Sequence, residues 1–157
     1  MNIQDDILVA LRRITRAIDL HSRKVLKASG LTSPQLVVLQ ALKKNGDLYP
    51  SSIARIASLS QATITSILDR LQAQGLITRQ RCTEDRRQIL VSLTVQAHER
   101  LRDAPELLQA GFLREFDKLE SWEQLQLLAS LQRLAELMDA EDIDAAPILE
   151  VGDIAKN

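Results

Sequence analysis

The sequence predicts a mainly α-helical chain that carries one small β-hairpin, and three patterns predict it. Apolar residues recur three and four apart through most of the 157 residues, the period of helices that pack by one face. That rhythm breaks between residues 76 and 93, where Ile89, Val91 and Leu93 alternate with polar neighbours in the period of a strand. Between the periodic segments stand Gly30, Asn45-Gly46-Asp47, Gly75 and several Ser or Thr residues placed to cap helices. With 45% apolar and 26% charged residues, the chain has the balance of a globular protein of one domain, or of two small ones sharing a core.

The first helix is predicted over residues 4–29, with Ile7, Leu11, Ile14, Ile18 and Val25 on one stripe and Gly30 as its stop. Thr32 or Ser33 caps the second, with Pro34 in its first turn and Leu36, Leu39 and Leu42 inward. Tyr49-Pro50-Ser51 opens a short third helix, with Ile53, Ile56 and Ala57 inward. Ser60 caps the fourth, whose apolar positions Ile64, Ile67, Leu68 and Leu71 fall on one face before Gly75 ends it. Residues 76–82 and 88–93 form the hairpin. Thr94 caps a fifth helix expected to reach about Lys118, kinked or interrupted by Pro105.

Ser121 with Gln124 forms an expected capping box for a sixth helix. That helix is apolar around much of its circumference, through Trp122, Leu125, Leu127, Leu128, Leu131, Leu134, Leu137 and Met138. Such a helix must be buried on more than one side. A core of some 64 residues (31–94) is too small to cover it, so a second chain is expected to do so. The acidic tail, residues 140–157, is expected to be an arm or disordered.

Helix three, a tight Leu59-Ser60 turn, helix four and the hairpin together make a winged helix-turn-helix, whose second helix lies in the DNA major groove. The outer face of helix four carries Ala62, Thr65, Ser66, Asp69 and Ala73, flanked by Ser60, Gln61, Thr63 and Arg70. These are small, hydrogen-bonding side chains that can approach base edges: Gln61 suits adenine, Thr methyl groups suit thymine, and Arg70 suits guanine or phosphate. At the hairpin tip, Asp85, Arg86 and Arg87 stand together. One arginine can enter the flanking minor groove while the other neutralises phosphate, and Asp85 can hold a guanidinium by a bidentate pair.

Charge is distributed in keeping with this. Residues 1–30 carry six basic and three acidic side chains (+3), residues 31–94 eight and four (+4), and residues 95–157 six and fourteen (−8). The first two segments suit a polyanion, and the last points elsewhere. A winged helix used only to bind protein is the competing reading, and it has no need of arginines at the wing.

The order of elements, the run "SLSQATITSILDRLQAQGLI" and the signature Asp85-x-Arg87 with Leu93-Thr94 resemble the MarR family of bacterial regulators over nearly the whole chain. The resemblance implies a homodimer built from the first, fifth and sixth helices (residues 1–30 and 95–139), with residues 31–94 binding a palindromic operator in double-stranded DNA. It implies repression relieved by a small-molecule effector, commonly a phenolic acid. It makes Arg87 the minor-groove residue, Asp85 its support and the fourth helix the major-groove reader. Pro105 departs from the family's pattern. Two stretches, "RAIDLHSRKVLKASGLTSPQLVVLQ" and "MDAEDIDAAPILEVGDI", resemble a subgroup that controls ectoine and other compatible-solute genes, which implies an osmotic signal.

Other chemistry is not expected. Some family members sense oxidants through a cysteine near the N-terminus, whereas the one cysteine here is Cys82, read as a structural thiol. His21 on the first helix's stripe and His98 in the fifth helix do not make a metal site with it. No cofactor is expected, and no triad, phosphate loop or metal motif suggests an enzyme. No apolar run approaches the roughly 18 residues of a membrane span. A signal peptide is not apparent either, so the cytoplasm is the expected compartment.

Overall fold

A computed structural model describes residues 2–151 and Ile154. It is mostly helical with a two-stranded antiparallel hairpin. The helices are α1 (Ile3–Ser29), α2 (Ser33–Asn45), α3 (Pro50–Ala57), α4 (Gln61–Ala73), α5 (Val95–Asp103), α6 (Leu108–Phe116) and α7 (Ser121–Leu137), with β1 (Ile77–Arg81) and β2 (Ile89–Leu93) between α4 and α5. The chain divides into two compact units. One comprises Met1–Pro105 with Pro147–Asn157, the other Glu106–Ala146.

The first unit holds the core. Leu31, Leu36, Leu39, Ile53, Ile64, Ile67, Leu68, Leu71, Leu76 and Ile77 are all fully buried, each contributing about 1.5–3 kcal/mol relative to exposure. Caps bound its helices. Thr32 accepts from the Gln35 N–H at 3.4 Å while the Gln35 side chain accepts from the Thr32 N–H at 3.0 Å, which settles the choice between Thr32 and Ser33. Gly30 ends α1 at φ 70°, a left-handed conformation that glycine adopts without strain.

The hairpin pairs Ile77 with Leu93 and Arg81 with Ile89 at its limits. A third short segment extends it: the Leu48 N–H donates to the Val91 carbonyl at 3.1 Å, and the Val91 N–H donates back at 2.9 Å. The α2–α3 connection is thereby fixed to the wing. Thr94 is a clip at the hairpin's exit. Its hydroxyl donates to the Gly75 carbonyl at 2.7 Å, its N–H donates to the Leu76 carbonyl at 3.1 Å, and its oxygen accepts from the Ala97 N–H as the cap of α5.

Several expectations need correction. The helix expected to run from Thr94 to about Lys118 is two helices, because α5 stops at Asp103 and Ala104 is extended (ψ 132°). Residues before proline are driven from helical to extended backbone, so Pro105 interrupts rather than kinks. The last helix is capped at Glu120, not Ser121, with the Glu120 N–H donating to the Glu123 carboxylate at 2.9 Å. Gln124 instead donates to the Phe116 and Leu119 carbonyls and closes the turn after α6. Ile56 is not inward but 44% exposed. The stripe expected on α1 needs no such change: Val25 is buried, Leu11 and Ile18 are half-buried, and Ile7 and Ile14 are exposed in the single chain. Nor is the tail wholly an arm: Ile148 is buried and its segment belongs to the first unit. The part of the acidic tail beyond Val151 lies, Ile154 excepted, outside the described residues.

In the second unit, α7 has no buried residue. Trp122, Leu125, Leu127, Leu128, Leu131, Leu137 and Met138 are all exposed among the described residues, so the expected breadth of its apolar surface is real.

Candidate nucleic-acid interface

The turn between α3 and α4 is made by local backbone bonding. Ser58 ends α3 in a left-handed conformation (φ 54°), and the Leu59 N–H donates to the Ala54 carbonyl at 2.9 Å. Ser60 then caps α4, accepting from the Thr63 N–H at 3.1 Å. With Ile64, Ile67, Leu68 and Leu71 buried beneath it, α4 can present only its other side. Gln61, Ala62, Thr65, Asp69 and Ala73 lie on that side exposed, and Thr63, Ser66 and Arg70 are half-buried at its margins.

Three of the hydroxyls on this face are already engaged. The Ser60 and Thr63 hydroxyls share a 2.8 Å hydrogen bond, and the Thr65 hydroxyl donates to the Gln61 carbonyl at 2.9 Å. Thr65 therefore offers its methyl group and acceptor lone pairs outward, not its proton. Small apolar contact with thymine methyls and acceptance from base amines are what such a face can do.

Asp69 sits differently from its neighbours. Its carboxylate accepts from the Arg79 guanidinium on β1 at 2.6 Å, across ten residues of sequence. Sequence reasoning placed Asp69 on the outer face and missed this partner. The signal was a basic residue alternating on β1, but only the hairpin's orientation shows which of Arg79 and Arg81 reaches α4.

At the wing, residues 83–88 are all exposed. The Asp85 carboxylate accepts from the backbone N–H of Arg87 at 2.9 Å. This overturns the expected bidentate pair with a guanidinium: Asp85 shapes the turn, as aspartates do when they bond the backbone two residues on. The Gln88 N–H donates to the Asp85 carbonyl and the Cys82 N–H donates to the Gln88 carbonyl, each at 3.0 Å. Among the described residues neither Arg86 nor Arg87 enters an ion pair. Two guanidiniums thus project from a turn whose backbone is fixed.

Cys82 is half-buried at the end of β1, and its thiol lies 3.8 Å from the Tyr49 hydroxyl, to which it donates. The contact with Cys82, with smaller effects of burial and of Glu84, pushes the Tyr49 hydroxyl's pKa above its ordinary 10.0. His21 is half-buried and its Nε2 has no partner among the described residues, while His98 is exposed. No group of three or more His, Cys, Asp and Glu that could hold a metal occurs among the described residues. None of their helices is long and apolar enough to cross a membrane.

Known proteins resemble the chain in both sequence and fold. The MarR family model matches residues 31–89, the segment from the start of α2 through the wing tip. The HTH-type transcriptional repressor MdtR of Bacillus subtilis is 29% identical over 140 residues, which are 89% of this chain and 90% of that one. The crystal structure of YusO from the same organism is 31% identical, covering 85% of this chain and 95% of that one, with a TM-score of 0.53. A MepR-like protein complexed with pseudoligands superposes at a TM-score of 0.61, with 26% identity and coverage of 88% and 97%. Sequence, fold and the order of elements agree: the chain belongs to the MarR family of winged-helix transcriptional regulators, which are not enzymes.

Proposed function

We propose that the protein is a homodimeric repressor that binds a palindromic operator, with α4 in the major groove and the wing in the adjacent minor groove. One observation carries the reading: the same buried core that holds α4 by Ile64, Ile67, Leu68 and Leu71 also anchors the hairpin by Ile77 and Val91. A small hydrogen-bonding face and two unpaired wing guanidiniums are thus carried on one rigid body. Ser60, Gln61, Ala62, Thr63, Thr65, Ser66 and Arg70 are the proposed groove residues, with Arg87 in the minor groove and Arg86 on phosphate. Residues 31–94 are the proposed DNA-binding domain, and residues 1–30 and 95–139 the proposed dimerisation regions. The exposed apolar residues of α7 support a second copy. A two-fold dimer reads half-sites about 10 base pairs apart, so footprinting should give a symmetric protected region. A single asymmetric half-site bound at full affinity would contradict this.

The proposed target is the cell's compatible-solute synthesis genes, ectoine among them, with release at high salt in the cytoplasm. Its support is the resemblance of residues 16–40 and 138–154 to that subgroup, and a physical route that needs no ligand. Each phosphate contact releases a counterion, so affinity falls steeply as ionic strength rises. The competing signal is a small molecule, as in the MepR-like protein complexed with pseudoligands. Operator affinity measured across salt concentrations, and at fixed ionic strength with ectoine, glycine betaine or salicylate, decides between them. A flat salt dependence with release by salicylate alone would end the osmotic reading and leave the regulator.

A further inference from the structure

We propose that Asp69 is a positioning residue rather than a base reader: its ion pair with Arg79 locks α4 to β1 and so sets the angle between the recognition helix and the wing. The inference rests on the DNA-binding reading above.

Three observations support it. The pair is short, 2.6 Å, and ties the exposed face of α4 to β1. It is also asymmetric: the Arg79 side chain is 21% exposed and the Asp69 side chain 62%. The Arg79 Nε is buried without a partner, so Asp69 supplies this guanidinium's one acceptor among the described contacts. A half-buried cation with one acceptor is held by it more firmly than an exposed pair would be.

The third observation is electrostatic. Asp69 lies one or two helical turns from Ala62 and Thr65 on the same exposed face, where an unpaired carboxylate would repel phosphate. Arg79 removes that repulsion. Simultaneous engagement of two grooves depends on a fixed angle between the elements that enter them, and loss of the lock should lower specificity rather than general affinity for DNA. Asp85 does the same service at the other end of the hairpin, through backbone rather than charge.

The test is a double-mutant cycle on the full chain with Asp69→Ala, Arg79→Ala, both together, and the exchange Asp69→Arg with Arg79→Asp. Affinity is measured for operator and for unrelated duplex at one salt concentration. Both single variants should lose about tenfold in the ratio of operator to unrelated affinity, with the double variant losing no more than either. Their affinities for unrelated duplex should move in opposite directions, since Asp69→Ala removes a negative charge from the DNA side and Arg79→Ala unmasks one. The exchanged pair should recover much of the ratio. Hydrogen exchange of the β1 and β2 amides, measured without DNA, should speed up in both single variants, and circular dichroism checks that each is folded. Additive losses, or an Asp69 effect confined to one base pair with Arg79→Ala silent, would overturn the lock and make Asp69 a base reader. A wild-type chain with no preference for any duplex would overturn the DNA-binding reading itself, and the lock with it.

Discussion

α4 and α7 are both rich in large aliphatic side chains, isoleucine and leucine in α4 and leucine in α7, yet they end in opposite conditions. In α4, Ile64, Ile67, Leu68 and Leu71 are no more than 2% exposed. In α7, Leu125, Leu128 and Leu131 are each more than half exposed. Composition does not separate them; pattern does. The apolar residues of α4 occupy one face and leave a small polar face opposite, whereas those of α7 run around the helix. A single chain of this size completes the first kind of helix and leaves the second for another molecule.

The largest expected effect sharpens that contrast. Leu71→Ala should lower the unfolding free energy by about 2–5 kcal/mol, the range for deleting a buried leucine, as read by urea denaturation. Leu128→Asp should instead leave the α4 core folded and abolish association, because the carboxylate would be buried unpaired only in the dimer. Light scattering and denaturation at several protein concentrations check this, since a dimer's midpoint depends on concentration and a monomer's does not. A wild-type chain that is monomeric at micromolar concentration would break the comparison.

Next in size is the wing. Arg87→Ala should weaken operator binding by about 1–3 kcal/mol with the urea midpoint unchanged, whereas Arg86→Ala should act evenly across sequences and reduce the salt slope by about one. Operator affinity equal to wild type in Arg87→Ala would remove the minor-groove assignment.

The same contrast marks how far the sequence could be read. Caps are local, so Ser60 and Thr94 were legible from side-chain type and position alone, and Thr32 was one of two adjacent candidates. So was the hairpin, whose period differs from that of the helices around it. Pro105 announced an interruption without saying whether one helix bent or two formed, because that depends on the backbone of Ala104. The Asp69–Arg79 and Leu48–Val91 contacts were not legible: each joins residues ten or more apart, and the hairpin's orientation decides both. Asp85 was read as a partner for a guanidinium because its charge suggests it, yet the nearer backbone N–H of Arg87 holds it. Ile148 shows the limit of composition, since an acidic tail hid one buried anchor.

Thr94→Val tests the clip at a smaller scale. It removes the bond to the Gly75 carbonyl and the cap of α5 while keeping the side chain's shape, and should cost about 1–2 kcal/mol. A loss within a few tenths of wild type would mean that water replaces both bonds.

The smallest expected effect is a titration, and it examines the seam between α3 and β1. The chain has one tyrosine and one cysteine, so an ultraviolet titration of Tyr49 reports on one group without overlap from another tyrosine. The contact with Cys82 raises the Tyr49 pKa above 10.0, which means the folded chain holds this proton more tightly than the unfolded chain does. Stability from the contact is therefore fully present below pH 10.0 and is lost as pH rises through the folded value. Cys82→Ala should bring the Tyr49 midpoint back toward 10.0, and Tyr49→Phe should flatten the fall in stability above that pH. A midpoint that Cys82→Ala does not move would mean that the two side chains are apart in solution, and that the segment entering α3 is held to the wing by the Leu48–Val91 backbone bonds alone.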